Sequence, residues 1–89
     1  MSAILKNKKI LITGASRGLG EVSARALADQ EAILVLMARS KDKLQEINNS
    51  LKHPEKHLVI NVDLTDTEAL HQAVGQAIKF LREVDVVLH

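Results

Sequence analysis

Short apolar runs alternate along the chain with stretches that have helical period. The runs are five or six residues long and do not alternate with polar positions, as is typical of parallel strands covered on both faces. The four predicted strands are Lys9–Thr13, Ile33–Ala38, Leu58–Val62 and Val84–Leu88. Strands separated by helical stretches indicate βαβ units with right-handed crossovers. The pattern therefore predicts an α/β fold of the form β-α-β-α-β-α-β, which is half of a doubly wound parallel sheet.

Three stretches with helical period lie between these strands. The first runs from Leu19 to about Gln30, the second follows Ser40, which can cap it, and His53-Pro54 ends the second. The sequence Thr65-Asp66-Thr67-Glu68 is a capping-box pattern that opens the third. The predicted core-facing residues are, in chain order, Leu19, Val22, Ala26 and Leu27, then Leu44, Ile47 and Leu51, then Leu70, Val74, Ala77 and Leu81.

The composition indicates one small globular domain, spanning residues 1–89, of 46% hydrophobic and 26% charged residues. The net charge is +1 and the twelve Lys and Arg are scattered, which argues against a nucleic-acid partner. There is no cysteine, and no apolar window reaches the roughly 18 residues of a membrane span. We therefore expect a cytoplasmic protein without a membrane partner.

A glycine motif, Thr13-Gly14-Ala15-Ser16-Arg17-Gly18-Leu19-Gly20, joins the first strand to the first helix. We expect Gly14 to permit a tight turn, Gly18 to let the backbone approach a diphosphate, and Gly20 to let helix and strand pack closely. The N–H groups of the helix would then face the anion. The spacing G-x-x-x-G-x-G differs from the commonest dinucleotide fingerprint and from a P-loop. The alternative is a glycine-rich turn without a ligand.

Together with Asn61-Val62-Asp63-Leu64-Thr65 after the third strand, this motif resembles the classical short-chain dehydrogenases/reductases over Lys8 to His89. The resemblance implies a Rossmann-type fold with strand order 3-2-1-4 and an NAD(H) or NADP(H) cofactor. It implies that Ser16, Arg17 and Leu19 lie near the adenosine ribose and the diphosphate.

The same resemblance implies that Asp63 lies beside the adenine amino group and Leu64 against the ring. Asp63 has a second interpretation, as a residue that turns the chain into the third helix, because Asp is common at such turns. Both roles are compatible.

The charge after the second strand favours NADP(H). An NAD-specific site places a carboxylate there for the ribose 2′-OH, and that carboxylate would repel a 2′-phosphate. This chain has Ala38-Arg39-Ser40 instead, and Arg39 with Arg17 would supply donors to a 2′-phosphate. The alternative is that both arginines are solvated surface residues.

Two positions depart from the family pattern. Glu31-Ala32 replaces the usual Gly-Ala before the second strand, so a non-glycine residue has to form a left-handed helix end at about 1 kcal/mol. His89 stands where the family often begins Asn-Asn-Ala-Gly. The histidines do not indicate a metal site. Pro54 lies between His53 and His57 and argues against a helix that presents both on one face, so we expect solvated loop histidines.

The chain has no tyrosine. The family's general acid/base is the Tyr of a Tyr-x-x-x-Lys motif, assisted by a Ser. We therefore interpret the chain as the cofactor-binding first part of an NADP(H)-dependent oxidoreductase acting on a carbonyl or alcohol, without catalytic residues of its own. The alternative is a noncatalytic nucleotide-binding or partner-binding module, which forms a homo-oligomer through its exposed fourth strand.

Overall fold

The computed structural model describes residues 5–15, 18–82 and 84–88. Within these residues, four strands and three helices alternate, with one short 3-10 turn at Pro54–Lys56 before the third strand. The strands are β1 (Lys9–Thr13), β2 (Ile33–Ala38), β3 (Leu58–Asn61) and β4 (Val86–Leu88), and the helices are α1 (Gly18–Asp29), α2 (Lys41–Ser50) and α3 (Thr67–Leu81).

The four strands form one parallel sheet in the order β3-β2-β1-β4. This arrangement confirms the predicted fold class and strand order. β1 and β2 have the predicted bounds, whereas β3 is one residue shorter and β4 begins two residues later than predicted. Among the described residues, no helix is long and apolar enough to span a membrane.

Both faces of the sheet are covered at its centre, and β2 contributes to two separate cores. Leu34, Leu36 and Ala38 of β2 belong to a core shared with α1 and α2. Val35 and Met37 point the other way, into a core shared with α3. All five side chains are at most 4% exposed. This double burial explains why the sequence of β2 is a continuous apolar run without alternation.

The predicted core-facing stripe of α1 is wrong at Leu19, Val22 and Ala26 and right at Leu27. Leu19 is 81% exposed and Val22 is 62% exposed, whereas Ala24 and Ala28 are fully buried. Leu27 is partly buried against the same core. The helix thus faces the sheet with small residues, which let its backbone come closer than leucine or valine would allow.

The entry to α3 also differs from the predicted capping box. The N-cap is Asp66, whose carboxylate accepts a hydrogen bond from the N–H of Ala69 at 3.1 Å. Thr65 is the residue before the N-cap, and its hydroxyl donates to Asp63 instead. A carboxylate at this position also suits the positive end of the helix dipole. At α2, Ser40 is the N-cap as predicted, but its hydroxyl makes no capping hydrogen bond.

α1 ends at a left-handed residue that is not glycine, as the sequence predicts. Glu31 has φ of +65°. Its N–H donates to the carbonyl of Ala28 at 2.9 Å, and the N–H of Ala32 donates to the carbonyl of Leu27 at 3.1 Å. These two bonds form a Schellman motif, in which glycine is the usual left-handed residue.

His57 is buried, so the expectation that it is a solvated loop histidine is wrong. It is 8% exposed and lies just before β3. Its Nδ1 accepts a hydrogen bond from the backbone N–H of Leu34 at 3.1 Å, and its Nε2 lies 3.0 Å from the carbonyl oxygen of Lys52, to which it donates. The ring is therefore neutral, and it satisfies a β2 backbone group that β3, which begins at Leu58, does not reach.

Replacing Glu31 with glycine is expected to stabilise the protein by about 1 kcal/mol, because glycine adopts positive φ without the steric penalty of a Cβ. Glu31→Ala is the matched control, since it removes the same carboxylate and keeps the Cβ. Urea denaturation of the three proteins measures the difference. An equal gain from both substitutions would show that the Glu31 charge, not its backbone conformation, is responsible.

Acid is expected to destabilise the protein through His57. Burial lowers the pKa of His57 from its ordinary value of 6.5. Below pH 6.5 the unfolded chain therefore binds a proton that the folded chain excludes, so the free energy of unfolding decreases as the pH falls from 6.5. Protonation would also place a second donor against the N–H of Leu34. Denaturation between pH 5 and 8 should show this loss in wild type and in His71→Gln, which changes an exposed histidine of α3, and much less of it in His57→Gln. The same loss in His57→Gln would contradict the assignment.

Candidate functional site

Three loops meet at one edge of the sheet. Because the strands are parallel, the carboxyl ends of β1, β2 and β3 lie side by side, with Thr13 next to Met37 and Ala38 next to Asn61. The glycine loop leaves β1, Arg39 and Ser40 leave β2, and Asp63 and Leu64 follow β3. This is the edge at which open α/β sheets bind ligands.

The glycine loop turns sharply off β1 and is fastened to β2. Gly14 has φ of +66°, in the left-handed region that favours glycine. The N–H of the next residue, Ala15, donates to the carbonyl of Met37 at 3.2 Å, and the Ala15 side chain is fully buried. Ser16 and Arg17, which the sequence analysis also assigned to this loop, lie outside the described residues.

The start of α1 depends on a close backbone approach at Gly20. A Cβ at this position would overlap the carbonyl oxygen of Gly14 and lie 3.1 Å from the Cα of Ala15. Gly18, at the first residue of the helix, has φ of +60° and open space where its Cβ would be. Gly20 thus lets the N-terminus of α1 lie against the turn, and Gly18 has open space on the side where a Cβ would be.

The connection between β2 and α2 consists of Arg39 and Ser40 only. The side chain of Asn61, at the end of β3, donates to the carbonyl oxygens of Ala38, at 3.1 Å, and of Arg39. The N–H of Val62 also donates to the carbonyl of Ala38 at 2.9 Å. The backbone that carries Arg39 is therefore held from the neighbouring strand.

Asp63 lies in a tight turn before α3. Its Oδ1 accepts hydrogen bonds from the hydroxyl of Thr65 at 2.7 Å and from the N–H of Thr65 at 2.9 Å. These bonds, together with the positive charge of Arg39, lower the pKa of Asp63 below its ordinary value. Asp63 is thus the turn residue that the sequence allowed for, and the charge of Arg39 acts on its carboxylate across the two loops.

The two leucines assigned to the site differ in exposure. Leu19, in the first turn of α1, is almost completely exposed beside the glycine loop. Leu64 is only partly buried and packs against the core that α3 shares with the sheet. Leu64 therefore already has a packing role, and Leu19 has none within the part of the chain described.

The sequence did not predict that Asn61 supports this edge, although Asn61 belongs to the motif that follows the third strand. The signal is a polar residue at the last position of an otherwise apolar strand. A surface cavity of about 530 Å³ lies at the opposite edge beside Lys9 and Ile33. A smaller one, about 300 Å³, includes Asn61 and Asp63 in its lining. The described residues contain no cluster of His, Asp and Glu that could hold a metal ion.

A family model described as short chain dehydrogenase matches residues 8–89. The chain belongs to this family. Among the relatives of this short-chain dehydrogenase chain is the ketoacyl reductase HetN of Nostoc, which is 38% identical over 86 residues. That match covers 96% of this chain and 30% of the relative. The chain thus spans about a third of the length of the curated relatives that it matches.

Solved structures agree with this family assignment. A short-chain type dehydrogenase/reductase from Mycobacterium marinum matches with a TM-score of 0.85 and 31% identity, covering 97% of this chain and 35% of that one. The 3-ketoacyl-(acyl-carrier-protein) reductase of Brucella melitensis, in complex with NADH, matches with a TM-score of 0.83 and 28% identity. That match covers 93% of this chain and 33% of the reductase.

Gly20→Ala is expected to destabilise the protein by at least about 1 to 3 kcal/mol, because the new Cβ would meet backbone atoms that cannot move independently. Gly75→Ala is the matched control. Gly75 lies within α3 with open space around it, so alanine there should stabilise the helix by about 0.5 to 1 kcal/mol. Thermal denaturation followed by circular dichroism compares the two. A Gly20→Ala protein as stable as wild type would contradict the close approach of α1.

Proposed function

We propose that this chain forms the adenosine half of an NADP(H) site in a short-chain oxidoreductase. The oxidoreductase would move a hydride between NADP(H) and a carbonyl or alcohol substrate. The observation that carries the proposal is the position of Arg39. It lies between the glycine loop and Asp63, on a loop of two residues, where an NAD-specific site would place a carboxylate.

The shape of the glycine loop supports a bound diphosphate. The N-terminus of α1 carries unpaired backbone N–H groups and a partial positive charge, which favour an anion. Gly18, the first residue of α1, carries no side chain that could obstruct an anion, and Gly20 lets the helix lie against the turn after β1. The residues that would surround the diphosphate and its ribose are Gly14, Ser16, Arg17, Gly18, Leu19 and Gly20.

Arg39 and Ser40 would bind the 2′-phosphate. The guanidinium offers a planar set of charged donors that suits phosphate oxygens. Ser40 supports the same role, because its hydroxyl makes no capping hydrogen bond to α2. Asp63 would accept a hydrogen bond from the adenine amino group while Thr65 holds its other oxygen, and Leu64 would contact the ring.

The cofactor would donate or accept the hydride, and this chain would bind the cofactor. Without a tyrosine, the chain has no candidate for the family's phenolic acid/base. Its relatives from Nostoc and Brucella are ketoacyl reductases, which favours a carbonyl substrate for the whole protein. Positioning of the adenosine, ribose and diphosphate is therefore the contribution that we assign to these residues.

Arg39→Asp is expected to reduce or reverse a preference for NADP⁺ over NAD⁺. A hydrogen bond to a charged group contributes about 1.5 to 3 kcal/mol, which is roughly ten- to hundredfold in affinity. The substitution removes this donor, adds repulsion to the 2′-phosphate and gives the 2′-OH of NAD⁺ an acceptor. Calorimetric titration of both cofactors into wild type and variant measures the change.

Two variants control this experiment. Lys79→Asp makes the same change of charge on α3, away from the site, and should leave the preference unaltered. Gly18→Val should weaken both cofactors alike, because valine is strained at φ of +60° and would disturb the loop that both cofactors share. Equal affinity of the wild type for the two cofactors, or an unchanged preference in Arg39→Asp, would show that Arg39 does not select the cofactor.

A further inference from the structure

Asn61 is the residue on β3 that holds the loop between β2 and α2. Its side-chain nitrogen lies within hydrogen-bonding distance of two consecutive carbonyl oxygens, those of Ala38 and Arg39. Both partners are acceptors, so the amide must present its NH₂ group to them. This contact joins residues that are 22 and 23 positions apart in the sequence.

The contact matters because the loop is so short. β2 ends at Ala38 and α2 begins at Lys41, so the peptide groups on either side of Arg39 fix where its side chain starts. At the α2 end of the loop, the carbonyl of Ser40 accepts the N–H of Leu44 in the first turn of α2, at 3.0 Å. At the β2 end, the Asn61 amide donates to the carbonyls of Ala38 and Arg39, which belong to the two peptide groups that flank Arg39.

We propose that Asn61 is a positioning residue that sets the cofactor preference through Arg39. The inference rests on the proposed NADP(H) site. By fixing the backbone of Arg39, the Asn61 amide would reduce the conformational freedom that the guanidinium loses when it binds a 2′-phosphate. Such pre-organisation increases affinity without a contact between Asn61 and the ligand.

The effect should be confined to the 2′-phosphate. Without the Asn61 amide, the N–H of Val62 still donates to the carbonyl of Ala38, so the end of the β2–β3 ladder remains. Asp63 keeps its turn through both hydrogen bonds from Thr65. The residues assigned to the adenine therefore keep their supports, and the freed part of the loop is the Arg39 peptide.

The probes for this proposal are 2′,5′-ADP and 5′-AMP, which differ by the 2′-phosphate. The measured quantity is the ratio of the dissociation constant of 5′-AMP to that of 2′,5′-ADP, in wild type, Asn61→Ala, Arg39→Ala and the double variant. Asn61→Ala should weaken 2′,5′-ADP by roughly three- to tenfold and change 5′-AMP by less than about twofold. In the Arg39→Ala background, Asn61→Ala should leave the ratio unchanged, because residues that act as one unit are not additive.

Asn61→Thr is a second variant that suits a strand, and its one hydroxyl hydrogen can reach only one of the two carbonyls. It should shift the ratio in the same direction. Gln45→Ala removes an exposed amide of α2 that contacts Asn49, and it should change neither affinity. The 5′-AMP affinity reports whether each variant is folded.

The outcomes separate this inference from the proposed function. If Arg39→Ala lowers the ratio but Asn61→Ala and Asn61→Thr do not, the NADP(H) site stands and the role of Asn61 is wrong. If Asn61→Ala weakens both ligands equally, or acts fully in the Arg39→Ala background, its role is structural and not exerted through Arg39. If wild type shows no preference for 2′,5′-ADP, the proposed function and the inference that rests on it both fail.

Discussion

Strand β2 is covered by helices on both faces, and the positions of the three loops at the candidate site follow from this. Its side chains alternate between the core under α1 and α2 and the core under α3. Neither core can form without β2, because each contains residues from it. Since β1 and β3 pair with β2 in parallel register, their carboxyl ends are carried to the same edge. Burial of apolar surface thus sets the geometry in which polar residues act.

A second constraint is the small size of the residues that α1 turns toward the sheet. Gly20, Ala24 and Ala28 let the helix backbone come close to β1 and β2, and this approach brings the first turn of the helix against Gly14. The positive end of the helix dipole falls off within about one turn. An anion at the loop is therefore stabilised only if α1 lies as close as these residues allow.

The sequence was sufficient for the fold because the strands are continuous apolar runs and the helices are amphipathic, and both patterns are local. The left-handed end at Glu31 was predicted from the family resemblance, because Glu31-Ala32 stands where the family usually has Gly-Ala. The sequence did not predict which face of α1 is buried. The periodicity argument gave large apolar residues more weight than alanine, although alanine permits the closer contact. The capping role of Asp66, the burial of His57 and the hydrogen bonds of Asn61 depend on partners such as Leu34 and Arg39, which only the tertiary structure brings near.

The charges at the edge are compatible with the proposal that Arg39 binds a phosphate. The pKa of Asp63 is lowered mainly by the hydrogen bonds from Thr65 and to a smaller extent by the charge of Arg39. The described residues contain two ion pairs, Arg25–Glu21 and His53–Glu55, and neither involves Arg39. The two hydrogen bonds from Thr65 hold the carboxylate in its turn, so it attracts the guanidinium without forming a close pair with it. A phosphate, which can meet the planar donors directly, would therefore not have to displace a salt bridge.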